Sequence, residues 1–205
     1  MNKLTWKKVW HFIWNDDSIW SWLVNIVLAF VLIKFVVYPG LGWVLGTTHP
    51  IVAVVSGSME HDGSFDIWWE SSAVCQGRPC SQREFYSLYG ITKEDFKRFI
   101  FRNGFNTGDI IFLLGEKPQN VKIGQVIVFE SSQRYPIIHR VIEVREDRGK
   151  IFFTTKGDHN PGSGPDDTNI SEDRLIGKAV FRIPYLGWIK IVFVEIITYP
   201  LKIMR

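Results

Sequence analysis

Apolar positions along this chain fall into distinct regimes. From Ile19 to Tyr38 the sequence IWSWLVNIVLAFVLIKFVVY is almost unbroken, with Lys34 its only charge. A helix rising about 1.5 Å per residue needs about 20 such residues to cross the roughly 30 Å hydrocarbon core of a bilayer. Trp20, Trp22 and Tyr38 stand at the ends of the run, as interfacial aromatics do. Lys34 lies near one end, where its stem can carry the ammonium to the headgroups. Pro39, Gly40 and Gly42 punctuate the exit. The pattern predicts a transmembrane helix over residues 19–38. The competing reading is a cleaved secretory signal; the run is too long for one, and Thr47-Thr48-His49 is a poor cleavage site, so a retained anchor is expected.

Ahead of it, Trp6, Trp10 and Trp14 recur every fourth residue beside Val9 and Ile13, with Lys7, Lys8 and His11 between. On a helix this makes one apolar face and one basic one, so residues 1–18 read as an amphipathic segment on a membrane surface, with a solvated tail as the alternative. Lys3, Lys7 and Lys8 precede the anchor. The positive-inside rule then puts the N-terminus in the cytoplasm and the rest of the chain on the extracytoplasmic side, single-pass.

Beyond residue 50 the pattern shortens. IVAVVS, DIIFLL, QVIVFE, IIHRVIEV, KIFFTTKG and IGKAVFRI are strand-length runs rich in β-branched and aromatic residues, separated by turn signals such as Gly108-Asp109 and Arg148-Gly149. The fold class is therefore mainly β, a sandwich-like or barrel-like domain over residues 50–187. Residues 60–107 break the rhythm. Ser81 with Glu84 and Thr92 with Asp95 are helix-start signatures, and Gly90 is a stop between them, which predicts a small helical insertion. Residues 188–205 are apolar again but hold Lys190, Glu195, Pro200 and Lys202, which favours a membrane-associated tail over a second span.

Composition narrows the function. Lys and Arg number 24 against 21 Asp and Glu, a net charge of +3, which argues against a nucleic-acid binder held by phosphate contacts. Aromatics at 15% exclude a disordered chain. The two cysteines, Cys75 and Cys80, sit in the short loop CQGRPC. On an extracytoplasmic domain they are expected to close a local disulfide, against the alternative of two free thiols; a zinc site would need more ligands nearby. No metal or cofactor is called for.

Three segments carry candidate chemistry. Val55-Ser56-Gly57-Ser58-Met59 follows an apolar strand, and a tight Ser-Gly-Ser turn there can expose a hydroxyl and aim an N–H at an oxyanion. His139 interrupts the apolar run Ile137-Ile138-His139-Arg140-Val141, where a packed histidine is the plainer reading. Lys156-Gly157-Asp158-His159-Asn160, followed by Asp166-Asp167, brings three carboxylates into a Gly- and Pro-rich loop: a calcium site, an ordinary acidic turn, or the orienting member of a triad.

In this order, behind a membrane anchor, these segments resemble a type I signal peptidase of the endoplasmic-reticulum and archaeal branch, which uses Ser and His. SGSME resembles the nucleophile box, and TGDIIFLL, IGQVIVFE, IIHRVIEV, TTKGDHNPGSGPDD and LIGKAVFRIPYLG follow in the family's order. The resemblance covers residues 51–187 except the insertion. It implies Ser58 as nucleophile, His139 as general base, Asp167 as the triad acid with Asp158 second and Asp166 third, and Ser56 with the Ser58 N–H at the oxyanion. Two departures stand out: His61 occupies the place two residues after Met59 where the family usually has Pro, and PGSGP lengthens the spacing from Asp158 to the Asp pair. None of His11, His49, His61 and His159 is expected to be catalytic.

The chemistry agrees with that assignment. A serine hydroxyl needs an adjacent base, and histidine, with an ordinary pKa of about 6.5, can take its proton and return it to the leaving amine. The implied substrates are the signal peptides of exported preproteins, and the implied setting is the cell membrane or the endoplasmic-reticulum membrane, with the lipid bilayer and accessory membrane subunits as partners. Two rivals remain. A self-cleaving regulator of the same superfamily would pair Ser with Lys and carry a DNA-binding head; a non-catalytic, membrane-tethered β module would bind exported proteins without cutting them.

Overall fold

Residues 5–132, 135–189 and 191–192 are described by the structure, a computed structural model. Two units separate, Met1–Val44 and Leu45–Arg205. In the first, α1 (Trp6–Asn15) leads through a tight elbow into α2 (Ile19–Leu32). Ser18 caps α2 by accepting the Ser21 N–H, while the Ser21 hydroxyl and the Asn25 amide donate to the carbonyls of Phe12 and Ile13 at the end of α1. Two polar residues of an apolar helix thus satisfy orphan carbonyls of its neighbour. The helix passes through a π-turn (Ile33–Val37) and continues as α3 (Tyr38–Leu45).

Pro39 and Gly40 therefore do not end it, as the sequence suggested. The wider π-turn accommodates the proline ring, whose clash would fall on the carbonyl four residues back. Ile19–Leu45 is the one helix among the described residues long and apolar enough to cross a membrane, and its apolar side chains are exposed. The face carrying Trp6, Trp10 and Trp14 of α1 is exposed too.

In the second unit the expected strands form. β1 (Ile51–Ala53) precedes the insertion, which holds α4 (Phe65–Trp69), the hairpin β2 (Ser72–Cys75) and β3 (Arg78–Ser81), α5 (Gln82–Ser87) and α6 (Lys93–Arg98). Then come β4 (Ile110–Leu114), β5 (Val126–Phe129), β6 (Ile137–Asp147), β7 (Lys150–Lys156), β8 (Ile170–Ser171) and β9 (Leu175–Ile183). One antiparallel sheet takes the order β1-β4-β9-β5-β6-β7-β8. The mainly β class is as the sequence implied; the arrangement is this single sheet with a separate ribbon, β2-β3.

Central β5 explains its own unbroken VIVF. Val126 and Val128 enter one core with Met59, Phe105, Ile111 and Leu113, while Ile127 and Phe129 enter another with Val141, Phe153 and Ile170. A strand covered on both faces has no polar side to show. Arg148-Gly149, both at positive φ, makes the β6–β7 turn, and Gln76-Gly77 does the same for β2–β3.

Both helix-start signatures form full capping boxes, Ser81 with Glu84 on α5 and Thr92 with Asp95 on α6. Cys75 and Cys80 are joined by a disulfide across the ribbon. The insertion has its own core of Trp68, Trp69, Phe85, Tyr86, Phe96 and Ile91, packed against Ile142 of β6. The ribbon itself was not foreseen, because its strands are short and polar. The predicted tail over residues 188–205 lies, beyond its first few positions, outside the described residues.

Candidate active site

Register on β6 decides what each side chain can reach. His139 lies opposite Ile127 and Arg140 opposite Val126, so the two leave the strand on opposite faces. On β7, Lys156 pairs with Arg140 and Thr155 with Val141, so Thr155 shares the His139 face and Lys156 the Arg140 face.

On the His139 face, the imidazole is buried with Nε2 3.0 Å from Ser58 Oγ and Nδ1 2.6 Å from Asp167 Oδ1. Ser58, partly exposed, sits just past the end of β1. Its neighbour Met59 pins the turn, with a side chain wholly buried in the core and a carbonyl accepting the Phe105 N–H. Asp167 closes a short 3-10 turn, Pro165–Asp167, and accepts from the Gly164 N–H at 2.9 Å and the Thr155 hydroxyl at 2.6 Å. Burial pushes the Asp167 carboxyl up, but the His139 hydrogen bond and the other donors outweigh it and hold the group below its ordinary value.

An ionised Asp167 only accepts, so His139 Nδ1 carries the hydrogen. The neutral ring then turns a lone pair on Nε2 toward the Ser58 hydroxyl. That arrangement can draw a proton from the serine as it attacks. Gly157 is set into the same place: a Cβ there would lie 2.7 Å from the Ser58 carbonyl oxygen and 2.8 Å from His139 Nε2. Only glycine lets the loop backbone approach so closely. Ser56 is exposed, with its hydroxyl 3.4 Å from Ser58 Oγ.

Asp158 does not meet His139. On the opposite face it is fully buried and accepts from Arg140 Nε (2.9 Å) and Nη2 (2.6 Å), from the Tyr86 hydroxyl (2.9 Å) and from His61 Nε2 (3.0 Å). Burial raises the Asp158 pKa; Arg140, aided by the His61 hydrogen bond, overrides it and holds the carboxyl well below the usual range. Burial likewise drives the Tyr86 hydroxyl well above its ordinary pKa, reinforced by the Asp158 charge, so it stays a donor. Asp166 goes elsewhere again, accepting the Ser132 N–H and hydroxyl and facing Arg174 at 3.7 Å.

The three loop carboxylates thus have three separate sets of partners. Among the described residues no group of three or more His, Cys, Asp or Glu could hold a metal ion. Lys156 is also buried, its Nζ donating to the carbonyls of Gly157 (2.9 Å) and Asp158 (3.3 Å) between the rings of Phe85 and Tyr86. Burial lowers its pKa to about 7. Sequence reasoning missed Thr155, Arg140, Tyr86, Lys156 and the role of His61. The available signal was an arginine inside an apolar run and a lysine closing the next strand, where a buried charge demands a partner.

No family model matches the chain. Curated proteins do. The human signal peptidase complex catalytic subunit SEC11C is 29% identical over 176 residues, covering 81% of this chain and 70% of that protein. SEC11 of Scheffersomyces stipitis, of the same description, is 28% identical over 179 residues, covering 82% and 80%. SEC11 of Colletotrichum graminicola is 27% identical over 193 residues, covering 91% and 86%. The resemblance read from the motifs is borne out: the chain's curated homologues are signal peptidase catalytic subunits.

Proposed function

We propose that the chain is a membrane-anchored serine endopeptidase that removes N-terminal signal peptides from exported preproteins. The observation that carries the reading is the chain of contacts from Ser58 Oγ through His139 to Asp167, 3.0 Å and then 2.6 Å. In the proposed reaction Ser58 Oγ attacks the scissile carbonyl while His139 Nε2 takes its proton. The bond to the leaving amine then breaks, and His139 returns the proton to that nitrogen. Water, deprotonated by the same imidazole, hydrolyses the acyl-serine ester and restores the hydroxyl. Asp167 fixes the tautomer and stabilises the imidazolium between these transfers. The Ser56 hydroxyl and the Ser58 N–H are assigned to the oxyanion.

The helix Ile19–Leu45 is assigned to the bilayer, with α1 on its cytoplasmic surface and the β domain on the other side. A signal sequence still held in the same membrane meets such an enzyme in two dimensions, which raises its effective concentration. The name of the homologues speaks of a complex, which supports accessory membrane subunits as partners. The test is cleavage of a model preprotein by the full-length chain in lipid vesicles. Ser58→Ala is expected to abolish processing while the protein stays folded and vesicle-bound. A Ser58→Ala protein that cuts at the wild-type rate defeats the reading; a wild-type chain that binds preprotein without cutting it identifies the non-catalytic β module instead.

A further inference from the structure

The insertion, residues 60–107, lies outside the segments that resemble the peptidase family, yet it is wired to the residues beside the proposed catalytic ones. Arg140 adjoins His139 in the chain and has five N–H donors, and all five are used. Two go to Asp158, one to the carbonyl of Gly124, and two to the carbonyls of Ile100 and Phe101 in the insertion. Phe96 of α6 packs its ring on the guanidinium, 4.6 Å from centroid to carbon.

Asp158 is held from the same side. Oδ1 takes the Tyr86 hydroxyl and Oδ2 takes His61 Nε2, each beside one Arg140 donor, while its carbonyl takes the indole N–H of Trp68 at 3.0 Å. An ionised carboxylate only accepts, so His61 donates through Nε2; its Nδ1 is buried with no hydrogen-bond partner. Parallel stacking on Trp68, 3.7 Å between centroids, fixes the ring in that pose. Asp158 in turn sits between two residues that touch the nucleophile. Gly157 lies against the Ser58 carbonyl and His139 Nε2, and the His159 N–H donates to the Ser58 carbonyl at 2.9 Å.

We infer that the insertion is a brace for the proposed relay, with His61 and Tyr86 as positioning residues that clamp Asp158. Through it they fix both Arg140, which anchors the His139 backbone, and the 157–159 loop, which seats Ser58. The inference rests on the peptidase reading. It makes the insertion part of the machinery for turnover rather than a gate or docking surface for substrate. A clamp of this kind sets the distance between nucleophile and base, to which rate is steeply sensitive.

The experiment uses the full-length chain in vesicles, with kcat and KM for a model preprotein measured well below each variant's unfolding temperature. Tyr86→Phe and His61→Leu each remove one hydrogen bond to a charged acceptor and are expected to lower kcat about tenfold, with KM changed by less than about twofold. His61→Gln, which can present an amide N–H at the same place, is expected to recover most of that loss. Combined with Asp158→Asn, Tyr86→Phe should add almost nothing, because both act through one carboxylate.

Wild-type kcat in both Tyr86→Phe and His61→Leu overturns the inference. So does a rise in KM alone, which would make the insertion a substrate contact. The two readings fail separately. Should Ser58→Ala be dead while the insertion variants match wild type, only the brace falls; should Ser58→Ala cleave at the wild-type rate, the peptidase reading falls and the brace with it.

Discussion

Two buried His–Asp pairs are present among the described residues of the β domain, and they differ in what stands beyond the imidazole. His139 meets Asp167 at 2.6 Å, and its other nitrogen faces the partly exposed Ser58 hydroxyl at 3.0 Å. His61 meets Asp158 at 3.0 Å, but its other nitrogen is sealed in the core and the ring lies flat on Trp68. The carboxylates differ as well. The Asp167 charge is met by hydroxyl, amide and imidazole donors that carry no full charge, so protonating His139 would give it its first full positive partner among those contacts. Asp158 already has one in Arg140. The first pair gains from an imidazolium and has a proton donor within reach; the second has no proton to receive and no unmet charge. A His–Asp pair is therefore not a site by itself. The group at the far nitrogen and the balance of charge around the acid make it one.

The sharpest way to break this contrast is to replace each acid by its amide. Asp167→Asn is expected to reduce turnover by about 10⁴, because the amide favours the wrong imidazole tautomer, with little change in unfolding temperature. Asp158→Asn should show its main loss in stability, about 3–5 kcal/mol, because Arg140 would remain buried without a counter-ion. Cleavage rates and denaturant unfolding on both variants check the pair. If Asp158→Asn were the inactive but stable one, the two roles would be inverted; if both stayed active, Ser58 and His139 would act as a dyad.

Within the insertion, a covalent constraint can be set against the polar clamp. The Cys75–Cys80 link closes a loop of only a few residues in a hairpin already tied by strand pairing. In the chain-entropy model so short a loop contributes about 2 kcal/mol. Reduction should therefore loosen the β2–β3 ribbon while cleavage survives in part. Thiol labelling before and after reductant, with activity followed in parallel, measures this. Complete loss of activity on reduction would mean that the ribbon, and not only the Asp158 contacts, sets the geometry of the relay.

How much of this was legible beforehand follows from the range of the interactions. The strands of the six apolar runs, both capping boxes and the Arg148-Gly149 turn depend on neighbours a few residues away, and they stand where the pattern put them. The disulfide is equally local. Which carboxylate meets which cation is not. Asp158 and Asp167 lie in one loop, and their separation follows from β7 sending Thr155 and Lys156 to opposite faces of the sheet, a matter of register with β6. The insertion's tie to the site was invisible for the same reason: Tyr86 and Asp158 are 72 residues apart. His61 did leave a trace, as a residue out of place after Met59, but its meaning depended on Trp68 and Asp158 being beside it. The extension of the long apolar helix to Leu45 was missed because Pro and Gly were read as stops, and the π-turn lets the helix continue through them.

The smallest expected effect concerns Lys156, which separates the two faces by pH. It is buried beside the Asp158 network, and burial lowers its pKa from 10.5 to about 7. A base whose folded pKa lies below its unfolded one is more protonated in the unfolded chain between those two values. Stability then rises with pH across that window, and the burial penalty on the ammonium is present in full below pH of about 7. The slope from one such group is at most about 1.4 kcal/mol per pH unit, so about 1 kcal/mol is expected between pH 7 and 8. Asp158 and Asp167, both held low, stay ionised throughout this range and add no slope. Tyr86, driven upward, affects the balance only where an unfolded tyrosine would ionise, near a pH of about 10. Urea unfolding of wild type and Lys156→Met from pH 7 to 9 isolates the contribution. Lys156→Met also loses the bonds to the Gly157 and Asp158 carbonyls, which shifts its stability by a constant amount and leaves the slope to the titration. The wild type should gain stability relative to the variant as pH rises, and parallel curves would mean that Lys156 keeps its proton in the fold, with its charge balanced by the neighbouring carboxylates.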